Sequence, residues 1–131
     1  MTTFPITAVY AGLSGLLLLI LAVRVVQVRK RSKIGIGDGS NHELVRSIRV
    51  HGNAVEYLPM LLILLALCEA AALAPAVIHG FGIAIVLSRL LHAHGLTRST
   101  GVSFGRFVGT LGSFLLLLIM SLTLLARPWW N

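Results

Sequence analysis

Four long apolar runs, separated by short polar stretches, make up most of this chain. They cover about residues 6–28, 57–74, 75–96 and 102–126. Arg24 and Gln27 interrupt the first run near its end, and Glu69 interrupts the second. A helical-looking stretch that starts at Asn41 extends the second run on its amino side. About 20 apolar residues span the hydrocarbon core as a helix, so each run is long enough to cross a bilayer. The pattern predicts an all-α integral membrane protein: one domain, residues 1–131, folded as a four-transmembrane-helix bundle. Its spans fall at about 6–28, 41–74, 75–96 and 102–126, with a basic loop at about 29–40 between the first two. No internal repeat or low-complexity segment breaks this plan. Residues 1–5 carry no basic group, and the basic residues follow the first run, which argues for a retained span rather than a cleaved leader.

Composition supports the class. Hydrophobic residues make up 56% of the chain and charged residues 11%, against roughly 25% charged in a soluble domain. The formal charge of +7 invites a nucleic-acid reading. However, seven of the eleven Lys and Arg residues fall between Arg24 and Arg49, beside the ends of two apolar runs, rather than along an aromatic-rich face. That is the distribution of a cytoplasmic loop, and no nucleic-acid partner is expected. Arg98 marks the third loop as basic too, while the turn near Ala74 and Pro75 has no Lys or Arg. Both termini are therefore expected on the periplasmic or lumenal side, with Trp129 and Trp130 at the outer interface. A bacterial inner membrane suits this layout. The lone Cys68 excludes an intrachain disulfide framework and reads as a small buried hydrophobe. Gly35, Gly37 and Gly39 lack the strand and helix context of a phosphate loop and read as a mobile turn.

The candidate chemistry lies where the second helix enters the membrane. An ionisable group at membrane depth costs about 2.5–3.5 kcal/mol on insertion scales, so it is rarely there without a partner or a task. At about 100° per residue, His42, Arg46, Arg49, Asn53 and Glu56 share one helical stripe about 80° wide, while His51 points away. Lipid does not tolerate such a stripe, so it is expected to face other helices or a wet cavity. His42 and Arg46, at its outer end, read as solvated interface residues.

The other spans add polar groups at the same end of the bundle. Arg89 and His92 lie three apart in the third span, and Arg89 is placed either to pair with Glu56 or to contact a ligand. In the fourth span Ser103, Arg106, Thr110 and Ser113 recur at steps of three and four. Gly105 and Gly109 form a GxxxG pair, with Gly112 following, where a neighbouring helix can approach closely; Gly80 and Ala84 offer the same in the third span. The opposite end holds mainly Glu69 and His79, read as structural. Two histidines without clustered Cys or Asp give no basis for a metal site.

Several arginines with one carboxylate and one amide form a receptor for an anionic or zwitterionic molecule. Glutathione, with two carboxylates, an ammonium and a thiol, fits that inventory; phosphates and acidic lipids fit it as well.

The run "RVHGNAVEYLP" resembles the second-helix signature of the membrane-associated proteins in eicosanoid and glutathione metabolism, the MAPEG family. Chain length, four spans, the basic first loop and "SRLLH" in the third span extend the likeness over nearly the whole chain, which is most similar to the short bacterial, microsomal glutathione transferase-like branch. The resemblance implies a homotrimer of four-helix subunits that binds glutathione between neighbours near the cytoplasmic face. It carries Arg49, Asn53, Glu56 and His92 over as glutathione contacts, with Arg29 supplied by an adjacent subunit and Arg106 stabilising the thiolate. Gly52 stands where the eicosanoid-forming members have a basic residue, and Leu96 where they have a tyrosine, which argues against prostaglandin or leukotriene synthesis.

The leading expectation is therefore a glutathione transferase or glutathione-dependent peroxidase with a lipophilic small-molecule substrate, which enters from the bilayer between helices one and four. A non-catalytic lipid- or glutathione-binding protein of the same fold is an alternative. A small multidrug or proton-coupled transporter is another, though Glu56 is shallow and ringed by arginines where such transporters need a deep, isolated carboxylate.

Overall fold

A computed structural model of the chain describes residues 4–98 and 103–127, excepting the side chains of residues 96–98. The positions of Trp129 and Trp130, and the side chains of Leu96 and Arg98, lie outside the described residues. The described residues form four helices: α1 (Pro5–Ser32), α2 (His42–Ala70), α3 (Pro75–Arg98) and α4 (Phe104–Leu125). All four are long and apolar enough to cross a membrane.

The helices run alternately up and down, as contacts at both ends show. Arg31 near the end of α1 meets Glu43 at the start of α2, with Nη2 donating to Oε1 at 2.7 Å. At the far end Glu69, near the end of α2, reaches the first turn of α1. Tyr10 of α1 bonds His79 of α3 through its Oη and the imidazole Nδ1 at 2.8 Å. α2 and α3 form the central pair. α1 packs against both on one side and α4 packs against both on the other, so α1 and α4 make no contact among the described residues.

Local chemistry sets the helix ends. Pro5 starts α1, with its missing N–H at a position that has no intrahelical acceptor. Phe4 cannot cap it, and the carboxylate of Glu69 does so from α2, accepting from Ile6 N at 2.9 Å and Thr7 N at 2.8 Å. A negative group there also complements the positive end of the helix dipole. α1 continues past the apolar run to Ser32, so Arg29, Lys30 and Arg31 are its last turn, where cations suit the dipole. Lys33 then turns the chain in the left-handed region. Nη1 of Arg29 donates to the carbonyl of Gly37 at 2.8 Å, which anchors the glycine turn. Asn41 caps α2 by accepting from Leu44 N at 3.0 Å. Ser103, which the sequence pattern places on a polar stripe of the fourth span, lies just outside α4 and caps it by accepting from Arg106 N at 3.3 Å.

The core runs down the middle of the bundle through Leu58, Leu61, Leu65, Ile78, Ile85 and Met120, each almost fully buried. The outward faces of α1 and α4 are apolar too, with Leu16, Leu19, Ile20, Phe114, Leu118 and Leu122 exposed. An apolar exterior is what a bilayer requires of a helical bundle.

Candidate functional site

The α3–α4 contact is close because its facing positions are small. A Cβ added at Gly109 would lie 2.5 Å from the Ser88 carbonyl oxygen and 2.7 Å from both Cβ and N of His92. At Gly105 it would lie 2.9 Å from the Leu91 carbonyl oxygen. The GxxxG pair of the fourth span thus packs directly on α3, as the spacing predicts. Gly80 does not act this way: a Cβ there meets open space within the chain, and the close contact of the early part of α3 falls at Gly82, against the Tyr10 ring.

That close packing brings three helices together around a cavity of about 320 Å³ at the basic end. Its lining includes His42, Arg46, Arg49 and Asn53 from α2, His92 from α3 and Arg106 from α4. Four of the five stripe residues on α2 therefore share one wall. His42 and Arg46, expected as interface residues, belong to this wall as well. Glu56 does not line the cavity; it lies one turn further along α2 on an exposed face. Arg29 is elsewhere too, beside a separate hollow shared with Lys30, Lys33, Ile34 and Gly35. The two hollows share no lining residue.

Arg89 lies outside the cavity lining. It is 2% exposed and lies behind Asn53. Nη1 donates to Asn53 Oδ1 at 2.7 Å, and Nη2 donates to the Gly109 carbonyl at 2.7 Å. Its Cζ lies 5.1 Å from the centroid of the Tyr57 ring, within cation–π range. It does not pair with Glu56. Ser113 Oγ donates to the same Gly109 carbonyl at 3.1 Å and lies 3.3 Å from Ser88 Oγ. The lone arginine within an otherwise apolar stretch of the third span signals importance, but only the fold reveals its partners.

The electrostatics of the cavity are one-sided. Arg46, Arg49 and Arg106 carry positive charge, and the lining contains no carboxylate. Guanidinium groups have only donors, so the cavity offers hydrogen bonds to an anion's oxygens and repels cations. Fold and site together define a multi-pass helical membrane protein with a basic, ligand-sized cavity at one end. Among the described residues no group of three or more His, Cys, Asp or Glu side chains is placed to hold a metal ion.

Comparison with known proteins narrows the class. The model of the MAPEG family matches residues 7–126. Inner membrane protein YecN of Escherichia coli strain K12 is 39% identical over 90 residues, which cover 69% of this chain and 69% of that protein. The protein of the same name from Escherichia coli O6:H1 matches to the same extent. The chain belongs to the MAPEG family. It is a multi-pass protein of the inner membrane.

Proposed function

We propose that this protein is a membrane glutathione transferase or glutathione-dependent peroxidase that acts on a lipophilic substrate. The observation that carries the reading is the cavity itself, where Arg46, Arg49, Asn53, His92 and Arg106 converge from three helices. Its volume of about 320 Å³ falls in the roughly 300–1,000 Å³ range of small-molecule sites. The donor-rich wall fits the two carboxylates of glutathione, and a guanidinium near its sulfur favours the thiolate. When bound, glutathione supplies that nucleophilic sulfur. In this reading Arg49 and Asn53 bind carboxylate or carbonyl oxygens, His92 closes the α3 side and Arg106 holds the negative sulfur.

The glutathione ammonium needs an anion that the cavity wall does not supply. Glu56, exposed one turn beyond Asn53, faces outward from the subunit and is the nearest carboxylate along the stripe. Arg29 borders a separate hollow rather than the cavity. Both positions support a homotrimer in which the site lies between subunits, with Arg29 arriving from a neighbour. The same arrangement puts the substrate entrance at a subunit boundary, where α1 of one copy meets α4 of the next, since α1 and α4 of one chain do not touch. The basic end is assigned to the cytoplasm and both termini to the periplasm.

The test is equilibrium glutathione binding to the purified protein in detergent, followed by thiolate absorbance in the ultraviolet. The expected result is binding accompanied by a thiolate signal that Arg106→Ala abolishes. Binding without a thiolate signal would favour a non-catalytic glutathione-binding protein of the same fold. No binding would overturn both.

A further inference from the structure

The Arg89–Asn53 pair determines which hydrogen-bonding polarity the cavity presents. A guanidinium carries five N–H donors and no acceptor, so the Asn53 atom at 2.7 Å from Nη1 has to be the carbonyl oxygen Oδ1. With Oδ1 held by Arg89, Nδ2 is the end of the amide that this bond leaves free to donate, and Asn53 is part of the cavity lining. Left to itself, an amide can turn over and offer either end, whereas here the bond from Arg89 removes the choice.

Arg89 is an expensive residue to keep for structural reasons alone. It is almost fully buried in a membrane-spanning helix, and no carboxylate lies within ion-pairing distance among the described residues. Its acceptors are two neutral oxygens, and its Nε has no hydrogen-bond partner. A buried cation of this kind, without a counter-ion, is rare in a membrane and marks function. It also adds positive potential from below to a cavity that already has arginines in its wall.

We infer that Arg89 is a positioning residue that locks Asn53 as a hydrogen-bond donor and so makes the cavity select carboxylate or other anionic oxygen ligands over neutral or cationic ones of the same shape. The inference rests on the cavity being the ligand site proposed above and adds the polarity of that site. Arg89 does not line the cavity; it acts through the Asn53 amide and through its charge.

The chain has three asparagines, Asn41, Asn53 and Asn131, so selective ¹⁵N-asparagine labelling resolves the Asn53 amide by NMR. In the full-length protein in detergent, adding acetate as a minimal carboxylate probe is expected to move the Asn53 side-chain N–H signals downfield, and ethylamine is expected to leave them in place. An acetate titration without any such shift overturns the proposal, whether or not glutathione binds. If glutathione fails to bind while acetate still moves Asn53, the glutathione reading falls and the polarity assignment stands.

The affinities of glutathione and its diethyl ester supply the second arm. Wild type is expected to prefer the free acid by about tenfold or more, the scale of one lost charge-assisted hydrogen bond. Arg89→Lys, which keeps the charge and a donor, is expected to retain that preference. Arg89→Gln is expected to lose it by weakening glutathione and leaving the ester unchanged. A folded Arg89→Gln protein that retains the preference overturns the proposal, as does one that weakens both ligands equally. Should Arg89→Gln not fold, the wild-type NMR titration decides alone.

Discussion

The α3–α4 seam offers a graded test of how tightly these helices are packed, with Gly109→Ala as its central perturbation. The new Cβ would lie 2.5 Å from the Ser88 carbonyl oxygen and 2.7 Å from two atoms of His92, against an ordinary contact of 3.4–4 Å. Two of those three atoms belong to the α3 backbone and cannot rotate aside, so the helices must part by about 1 Å. Overpacking of this kind and strain in the 2.7 Å bond from Arg89 to the Gly109 carbonyl together are expected to destabilise by about 3–5 kcal/mol. Gly105→Ala meets the Leu91 carbonyl oxygen at 2.9 Å and Gly95 Cα at 3.3 Å and is expected to cost about 1–3 kcal/mol. Gly112→Ala meets only Ser88 Cβ at 3.2 Å and is expected to cost about 1 kcal/mol or less. Gly80→Ala, with open space around it, is expected to gain about 0.5–1 kcal/mol from lower chain entropy. Thermal unfolding followed by circular dichroism, with each variant in the same detergent, reads the order directly. A flat series, or a Gly80 variant as damaged as the Gly109 one, would refute the reasoning.

Two further outcomes concern the helix ends. Glu69→Gln removes the negative group that caps α1 from the neighbouring helix; a loss of about 1–2 kcal/mol in thermal stability is expected, with glutathione affinity unchanged because the cap lies at the far end of the bundle from the cavity. Asn41→Ala removes the α2 cap and is expected to cost about 1 kcal/mol, whereas Arg31→Ala breaks an ion pair whose partners are 66% and 48% exposed and is expected to change stability by less than about 0.5–1 kcal/mol. Equal losses in that second pair, measured by chemical unfolding, would contradict the ranking.

Much of this protein is legible in its sequence, because hydropathy and helical period are local properties. Four apolar runs too long for a soluble fold declare four spans, and the spacing of Arg49, Asn53 and Glu56 declares a polar face on α2. The GxxxG spacing announced a close helix contact in α4, and the structure shows that contact against α3. Other readings failed for want of a third dimension. Gly80 looked like a second close-contact position, but α1 reaches α3 at Gly82 instead. Pairing with Glu56 was one of two roles open to Arg89, since Glu56 is the one acidic residue near that depth. A hydrogen bond depends on which faces meet, and here the Asn53 amide and the Gly109 carbonyl arrive first.

The sequence by itself determined the class of protein, the membrane, the number of helices and which end is basic, since bilayer thickness and side-chain charge act on each segment separately. The tertiary structure alone decided that α2, α3 and α4 close the cavity, that α1 stands apart from it, that Glu69 caps a helix more than sixty residues away in sequence, and that Arg89 sits beneath Asn53. Those facts depend on distances between segments far apart in the chain, and local periodicity carries no information about them.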